Sequence, residues 1–291
     1  MDTLPQFTKF GFIGFGLIGG SVAHAIRDLY PDAEIMAYNY YISRPHPRLN
    51  QALTDGVLST VTNQLEDFSD CHAIFLCAPV KTNVEYLRKL APYLHPDCML
   101  TDVGSVKGDI VAAIREMGLS HQFIGGHPMT GSEKIGYEYA DTKFFINKYY
   151  LLTPMEDTRP EYITWMKQFI HNVRSYCMIL DPARHDAVVA GISHVPHVIS
   201  ASLVNAVAAL DEDDTYGRLA AGGFHSVTRI SSSSPEMWQN ICEANQEEIL
   251  LFLDQFSQQI NEFRSKIEAG DSQALLELFR KAKAYRDHIL Q

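Results

Sequence analysis

The thirteen residues from Ile124 to Gly136 read I-G-G-H-P-M-T-G-S-E-K-I-G, with four glycines, a proline, a histidine, a serine, a glutamate and a lysine. His127 is the one side chain among them that titrates near neutral pH, so it is the group able to take or give a proton during a reaction. Pro128 lacks an amide donor and the glycines lower helix propensity, so the stretch reads as a loop leaving the strand-like Phe123-Ile124. Loops at strand ends are where a scaffold presents reactive side chains. The plainer alternative is a turn whose histidine caps a backbone group.

A second chemical signal is Gly14-Phe15-Gly16-Leu17-Ile18-Gly19, a G-x-G-x-x-G that follows an apolar strand-like run and opens a helical pattern. In that context Gly14 permits a tight turn, Gly16 lets the backbone approach a pyrophosphate, and Gly19 lets helix and strand pack closely. The amides of Leu17 and Ile18 would face the phosphate from the helix N-terminus. An acid is expected about 20 residues further on, where it would hold the ribose hydroxyls. The residue there is Asn39, which accepts a hydrogen bond but does not repel a 2′-phosphate. Arg44, His46 and Arg48 follow it, so both NAD and NADP remain open as the cofactor; a solvated basic loop is the alternative for those three.

Cys77-Ala78-Pro79-Val80 and Asp102-Val103-Gly104-Ser105-Val106-Lys107 both stand just past strand-like runs. Ligands of open parallel sheets lie beyond the carboxyl ends of strands, which makes Ala78, Pro79 and Val103 candidates for cofactor contact. Ser105 and His127 can meet there over a nicotinamide; Ser105 equally suits the N-cap of the next helix. His194 and His197, three apart on a helical pattern, share one face. With His127 they would make a three-histidine metal site. No further acid or cysteine ligand accompanies them and hydride transfer needs no metal, so a pocket wall is the better reading. Arg229 suits bidentate capture of a carboxylate, with a surface ion pair as the alternative. Trp238 lies nearby in the same G-G-F-H-S-V-T-R-I-S-S-S-S-P-E-M-W stretch and reads equally well as core.

The elements that must hold these residues alternate in the first half. Strand-like runs fall at Phe10–Phe15, Glu34–Tyr38, Ala73–Ala78, Met99–Val103, Phe123-Ile124, Tyr149–Leu152 and Tyr176–Leu180. Helical patterns fall at Leu17–Leu29, Asn83–Leu94 and Val106–Met117. Such alternation predicts right-handed crossovers and a mainly parallel, Rossmann-type α/β sheet over residues 1–180. Residues 181–291 show no strand and predict an all-helical domain. Its helices are expected at His185–Leu210, kinked at Pro196, then at Glu236–Ala269 and Gln273–Leu290. Ile249, Leu253, Phe256, Ile260, Phe263 and Ile267 form a heptad-like seam suited to a dimer contact or to intramolecular core.

The net charge of −11 argues against non-specific nucleic-acid binding, which needs a basic footprint. The five cysteines are an odd number without a C-x-x-C pair and predict buried free thiols in a reducing compartment. The N-terminus shows no signal peptide, and no apolar run is expected to reach the roughly 18 residues of a membrane span. A cytoplasmic protein without membrane partners is the expectation.

Taken together, G-F-G-L-I-G-G-S, D-V-G-S-V-K, G-G-H-P-M-T-G-S-E-K, the His185–His197 segment with H-D and I-S-H-V-P-H, and T-R-I with P-E-M-W resemble the prephenate/arogenate dehydrogenase family of tyrosine biosynthesis. The likeness covers nearly the whole chain, and neither a fused mutase ahead of it nor a regulatory domain behind it is expected. It implies oxidation of the ring C4 hydroxyl of prephenate with loss of the C1 carboxylate, giving 4-hydroxyphenylpyruvate, CO2 and reduced cofactor. It further implies that His127 takes the hydroxyl proton and that Ser105 orients His127. Arg229 would hold the ring carboxylate, and His197 would face the side-chain end. Glu133, beside Ser132, would gate or polarise the pocket. A homodimer would form through the helical half, with Gly222 and Trp238 approaching the partner's site. Asn39 departs from the family's usual acid. Arogenate is the alternative substrate. A nucleotide sensor without chemistry would not be expected to keep His127, Ser105 and Arg229 together. A β-hydroxyacid dehydrogenase would need a helical lysine, and none stands out between His185 and Leu210.

Overall fold

The computed structural model describes residues 6–41, 46–131 and 134–289. Arg44, Ser132 and Glu133 lie outside them. The first half is one eight-stranded sheet. Its strands are β1 (Lys9–Ile13), β2 (Glu34–Tyr38), β3 (Thr60–Thr62), β4 (Ala73–Leu76), β5 (Met99–Asp102), β6 (Phe123–Pro128), β7 (Tyr149–Pro154) and β8 (Tyr176–Ile179). Their order in space is β3-β2-β1-β4-β5-β6-β7-β8. All pairings are parallel except β6 with β7. The chain direction of winding reverses between β1 and β4, the place where such sheets bind dinucleotides.

Helices α1 (Leu17–Leu29), α2 (Pro47–Thr54), α3 (Val80–Leu90), α4 (Gly108–Glu116) and α5 (Pro160–Asn172) cover the sheet. Strands buried on both faces read as continuous apolar runs, and β1 and β4 do. One face packs Phe10, Phe12 and Phe75 against Trp165 and Phe169 of α5. The other packs Ile13, Ile74, Leu76 and Leu100 against Leu87 of α3 and Ile114 of α4. The short β3 and the helices α2 and α5 go beyond the elements legible in the sequence, although Tyr162, Trp165, Met166, Phe169 and Ile170 of α5 carry helical spacing and are buried.

The stretch around His127 differs from its expected form. β6 continues through Gly125, Gly126 and His127 to Pro128, because β7 pairs antiparallel along it, with His127 opposite Leu151. Its glycines answer to close approach rather than to a turn. A Cβ on Gly125 would lie 2.2 Å from Thr153 Oγ1, and one on Gly126 would lie 2.7 Å from the Asp102 carbonyl oxygen. The loop begins only after Pro128.

The second half is helical among the described residues: α6 (Pro182–Val189), α7 (Val195–Ala208), α8 (Thr215–Leu219), α9 (Gly222–Thr228), α10 (Pro235–Ala244), α11 (Gln246–Glu268) and α12 (Ser272–His288). The irregularity expected at Pro196 takes the form of a π-helical turn, Ala190–His194, between α6 and α7, with Pro196 in the first turn of α7. Such turns often mark functional sites. The expected Glu236–Ala269 helix breaks at Asn245.

Three further expectations change. The run Pro182–Ala208, with a mean hydropathy of 1.6, is long and apolar enough to cross a membrane, which corrects the expectation that no stretch reaches that length. However, uncovered apolar side chains extend across the whole helical half, including Leu219, Leu251, Ile260, Ile267 and Phe279. The heptad-like seam is buried at Ile249 but open at Ile260 and Ile267. Finally, Cys71 and Cys98 are buried thiols, whereas Cys77 and Cys242 are half-buried and Cys177, on β8, is exposed.

Candidate active site

The glycine turn sits at the β1–β4 switch point. Gly14 has φ +89°, and a Cβ there would lie 2.5 Å from the Ala78 amide nitrogen, so only glycine fits against the β4–α3 loop. Gly19 packs α1 on the strand end, with the Gly14 carbonyl oxygen 2.8 Å from where its Cβ would be. Gly16 is the N-cap of α1 and faces open space, with nothing within 4 Å of a Cβ position. No side chain caps that terminus, and no acid stands in its first turn, so the amides of the first turn are left to an anion. These features fit a dinucleotide pyrophosphate. Pro79 is the N-cap of α3, and Val103 is half-buried against the core beyond β5. Asn83, which carries no sequence signal, fixes the β4–α3 loop: its Oδ1 accepts from the Ala78 amide at 2.9 Å and its Nδ2 donates to the Leu76 carbonyl.

Asn39 is just past β2, as expected, but its carboxamide shapes the chain there. Its Nδ2 donates to the Tyr41 carbonyl at 2.9 Å and its Oδ1 accepts from the Tyr41 amide at 3.3 Å. His46 caps α2, and Arg48 pairs with Glu138 at 3.2 Å.

His127, at the end of β6, is held from the helical half. Its Nδ1 lies 2.8 Å from Nε2 of His185, and His185 Nδ1 lies 2.7 Å from Oδ1 of Asp186. The Asp186 carboxylate also accepts from the Lys107 amide at 2.9 Å and from the Gly108 amide at 2.8 Å. It therefore caps α4, a role open to Ser105 on the sequence alone; Ser105 lies upstream of that cap and its hydroxyl makes no hydrogen bond among the described residues. No hydrogen bond joins Ser105 to His127. Burial drives the His127 pKa well below its usual value of 6.5, and the neighbouring His185 and Lys107 add to the effect. The imidazole is neutral at pH 7, as a base must be.

Beneath His127 lies a fully buried ion pair. Lys107 pairs with Asp102 and donates to the Gly126 carbonyl at 2.7 Å. Asp102 accepts from the Gly126 amide at 3.1 Å and the Gly104 amide at 2.9 Å. This pair ties the β5–α4 loop to the strand that carries His127. Breaking a buried pair by removing one partner leaves an uncompensated charge, so Lys107→Met is expected to lower unfolding stability by about 3 kcal/mol. Urea unfolding checks this; a loss under about 1 kcal/mol, the size of an exposed pair, would show that the pair holds nothing.

The helical half adds a second cluster. Asn245 Nδ2 donates to the Asp186 carbonyl and to Nδ1 of His194, each at 3.0 Å. That leaves the His194 proton on Nε2, a buried donor without a partner, and burial lowers the His194 pKa to about 4. Trp238 Nε1 is a second buried donor without a partner. The His197 ring stacks on Trp238 at 3.6 Å. Burial lowers the His197 pKa, the Ile230 backbone opposes this, and the nearby Arg229 reinforces it. Arg229 itself is exposed and makes no ion pair among the described residues. Gly222 opens α9 with nothing within 4 Å of a Cβ position. The three candidate metal ligands are not gathered: His127 is joined to His185, His194 to Asn245, and His197 to Trp238.

The chain matches the family model of the prephenate dehydrogenase nucleotide-binding domain over residues 22–178 and that of the prephenate dehydrogenase dimerization domain over residues 181–281. It is 33% identical over 279 residues to the prephenate dehydrogenase of Bacillus subtilis, covering 94% of this chain and 74% of that protein. It is 28% identical to the cyclohexadienyl dehydrogenase of Zymomonas mobilis, covering 97% of this chain and 96% of that one. Among solved structures it is similar to A. aeolicus prephenate dehydrogenase in complex with hydroxyphenyl propionate and NAD+. The TM-score is 0.90 at 29% identity, covering 98% of this chain and 99% of that chain. It is also similar to Synechocystis arogenate dehydrogenase, with a TM-score of 0.84 at 29% identity, covering 97% and 99%.

Proposed function

The chain belongs to the prephenate dehydrogenase family, and from that premise we propose that it oxidatively decarboxylates prephenate to 4-hydroxyphenylpyruvate with NAD(P) as oxidant. The observation that carries this reading is the neutral His127 imidazole at a strand end of the same sheet that presents an uncapped glycine turn to an anion. A bound nicotinamide supplies the hydride acceptor. His127 accepts the C4 hydroxyl proton as the C4–H bond breaks. The C1–carboxylate bond then breaks, its electrons complete the aromatic ring, and His127 returns the proton to the phenolate oxygen. Arg229, which makes no ion pair among the described residues, holds the ring carboxylate. Ser105, half-buried past β5, is assigned to the same hydroxyl.

The side-chain end is assigned to His197 and Trp238; Ser132 and Glu133, which lie outside the described residues, are assigned to substrate binding as well. Two unpartnered donors, His194 Nε2 and Trp238 Nε1, suit a keto acid better than the ammonium of arogenate. We place the domain boundary between Leu180 and Asp181. The open apolar seam of α11 supports a homodimer through the helical half, with Gly222 and Trp238 near the partner's site. The cofactor contacts are assigned to Gly14, Gly16, Leu17, Ile18, Gly19, Asn39, Ala78, Pro79 and Val103. Asn39 brings no charge, and His46 and Arg48 are engaged, so NAD is favoured over NADP. A cytoplasmic location follows from the biosynthetic role. Initial rates with prephenate and arogenate, each against NAD and NADP, test the reading. The expected result is kcat/KM highest for prephenate with NAD; preference for arogenate, or no turnover of either compound, overturns it.

A further inference from the structure

Among the described residues, the side-chain hydrogen-bond partner of the proposed base His127 comes from outside the sheet. It is His185 of α6, and the next residue of that helix supplies the carboxylate behind it. The direction of each hydrogen bond in this chain follows from what Asp186 is asked to do. Two backbone amides, of Lys107 and Gly108, can only donate, so the carboxylate accepts from both. It sits at the N-terminus of α4, across the first amides of that helix. Facing that carboxylate at 2.7 Å, His185 Nδ1 carries a proton and donates it. In neutral His185 this leaves Nε2 as a lone pair, and that lone pair accepts from Nδ1–H of His127 at 2.8 Å. His127 is then left with its lone pair on Nε2, the nitrogen not engaged by His185.

We propose that His185 and Asp186 are positioning residues that hold His127 in the tautomer with its proton on Nδ1 and its lone pair on Nε2. The helical half thereby sets the sheet's base into its accepting form. The inference rests on the proposed role of His127 but concerns which nitrogen holds the proton, a property measurable without substrate. Because Asp186 also holds the amides that open α4, the same carboxylate fixes the loop carrying Ser105 and the orientation of the base. Docking of α6 against α4 and β6 is therefore a condition of catalysis, beyond its contribution to stability.

The decisive variant is Asp186→Asn, close to isosteric. Its carboxamide oxygen can still accept from the α4 amides, while its Nδ2 donates to His185 Nδ1. That reverses the chain: His185 donates from Nε2, and His127 is left with a proton on Nε2 and no lone pair for the substrate. Asparagine in place of a triad aspartate, which traps the wrong tautomer, costs about 10⁴ in kcat. A loss of roughly 10²-fold to 10⁴-fold in kcat is expected here, with KM for prephenate and NAD within about threefold. His185→Gln, which can still accept from His127 Nδ1–H, should retain activity to within about tenfold, whereas His185→Leu should lose as much as Asp186→Asn. The readout that a merely structural role would not move is the imidazole 15N spectrum of the substrate-free full chain. In the wild type, His127 Nδ1 should be protonated and Nε2 bare; in Asp186→Asn the pattern should exchange. A wild-type His127 protonated on Nε2, or Asp186→Asn at near-normal kcat, overturns the proposal. Should Asp186→Asn fail to fold, the His185 pair and the wild-type spectrum still decide it. If the wild type shows the expected tautomer yet turns over neither prephenate nor arogenate, the functional reading fails and the positioning role stands.

Discussion

Replacing His127 by asparagine lowers kcat by roughly three to four orders of magnitude, the upper range for a positioned general base, while KM for prephenate and for cofactor changes little. Asparagine keeps the polarity and approximate size of imidazole but cannot take a proton, so binding survives and the chemical step does not. The accompanying pH dependence has a definite sign. Burial depresses the His127 pKa well below 6.5, so the neutral, active form persists as pH falls past 6.5. The acid limb of kcat/KM therefore lies below that value and disappears in the variant. The same linkage acts on stability. His194, whose pKa falls from 6.5 to about 4 on folding, contributes stability that is present above 6.5 and lost as pH falls towards 4. Steady-state rates from pH 5 to 8 check the first statement; near-normal turnover by His127→Asn would remove the histidine from the chemistry.

Arg229→Ala should raise KM for prephenate by about 100-fold, a loss of roughly 3 kcal/mol, the upper range for a hydrogen bond to a charged group. The guanidinium has no competing ion pair among the described residues, so its loss falls on the ligand rather than on the fold. Arg229→Lys keeps the charge and loses the planar fork, so an intermediate KM is expected. Thermal unfolding of both variants should match the wild type. An unchanged KM for prephenate in Arg229→Ala would take Arg229 out of the carboxylate site.

Each residue that could be read from the sequence had its meaning in its near neighbours. Gly14, Gly16 and Gly19 declare themselves because a strand, a tight turn and a helix N-terminus are all local, and φ +89° at Gly14 is what the motif requires. The alternation of apolar runs and helical patterns likewise gives the sheet and its helical successor, since the periods of 2 and 3.6 are properties of short segments. His127 stood out because proline and glycine surround the one group there that titrates near neutrality.

Contacts between distant residues decided the rest. β6 runs on to Pro128 only because β7 arrives beside it, so the stretch read as a loop is in part a strand. The partner of His127 is 58 residues away on another domain, and the cap of α4 is 78 residues from Gly108. His185-Asp186 is visible as a histidine beside an acid, but two adjacent residues on a helix point in different directions, so nothing local says what each will meet. Lys107 reads as an ordinary polar residue after Ser105, yet folding buries it against Asp102 and the strand that carries His127. Composition and spacing thus singled out the proposed base and the dinucleotide turn. Which nitrogen of that base is free, and what holds it, depended on packing one half of the molecule against the other, because hydrogen-bond direction is set by partners in space.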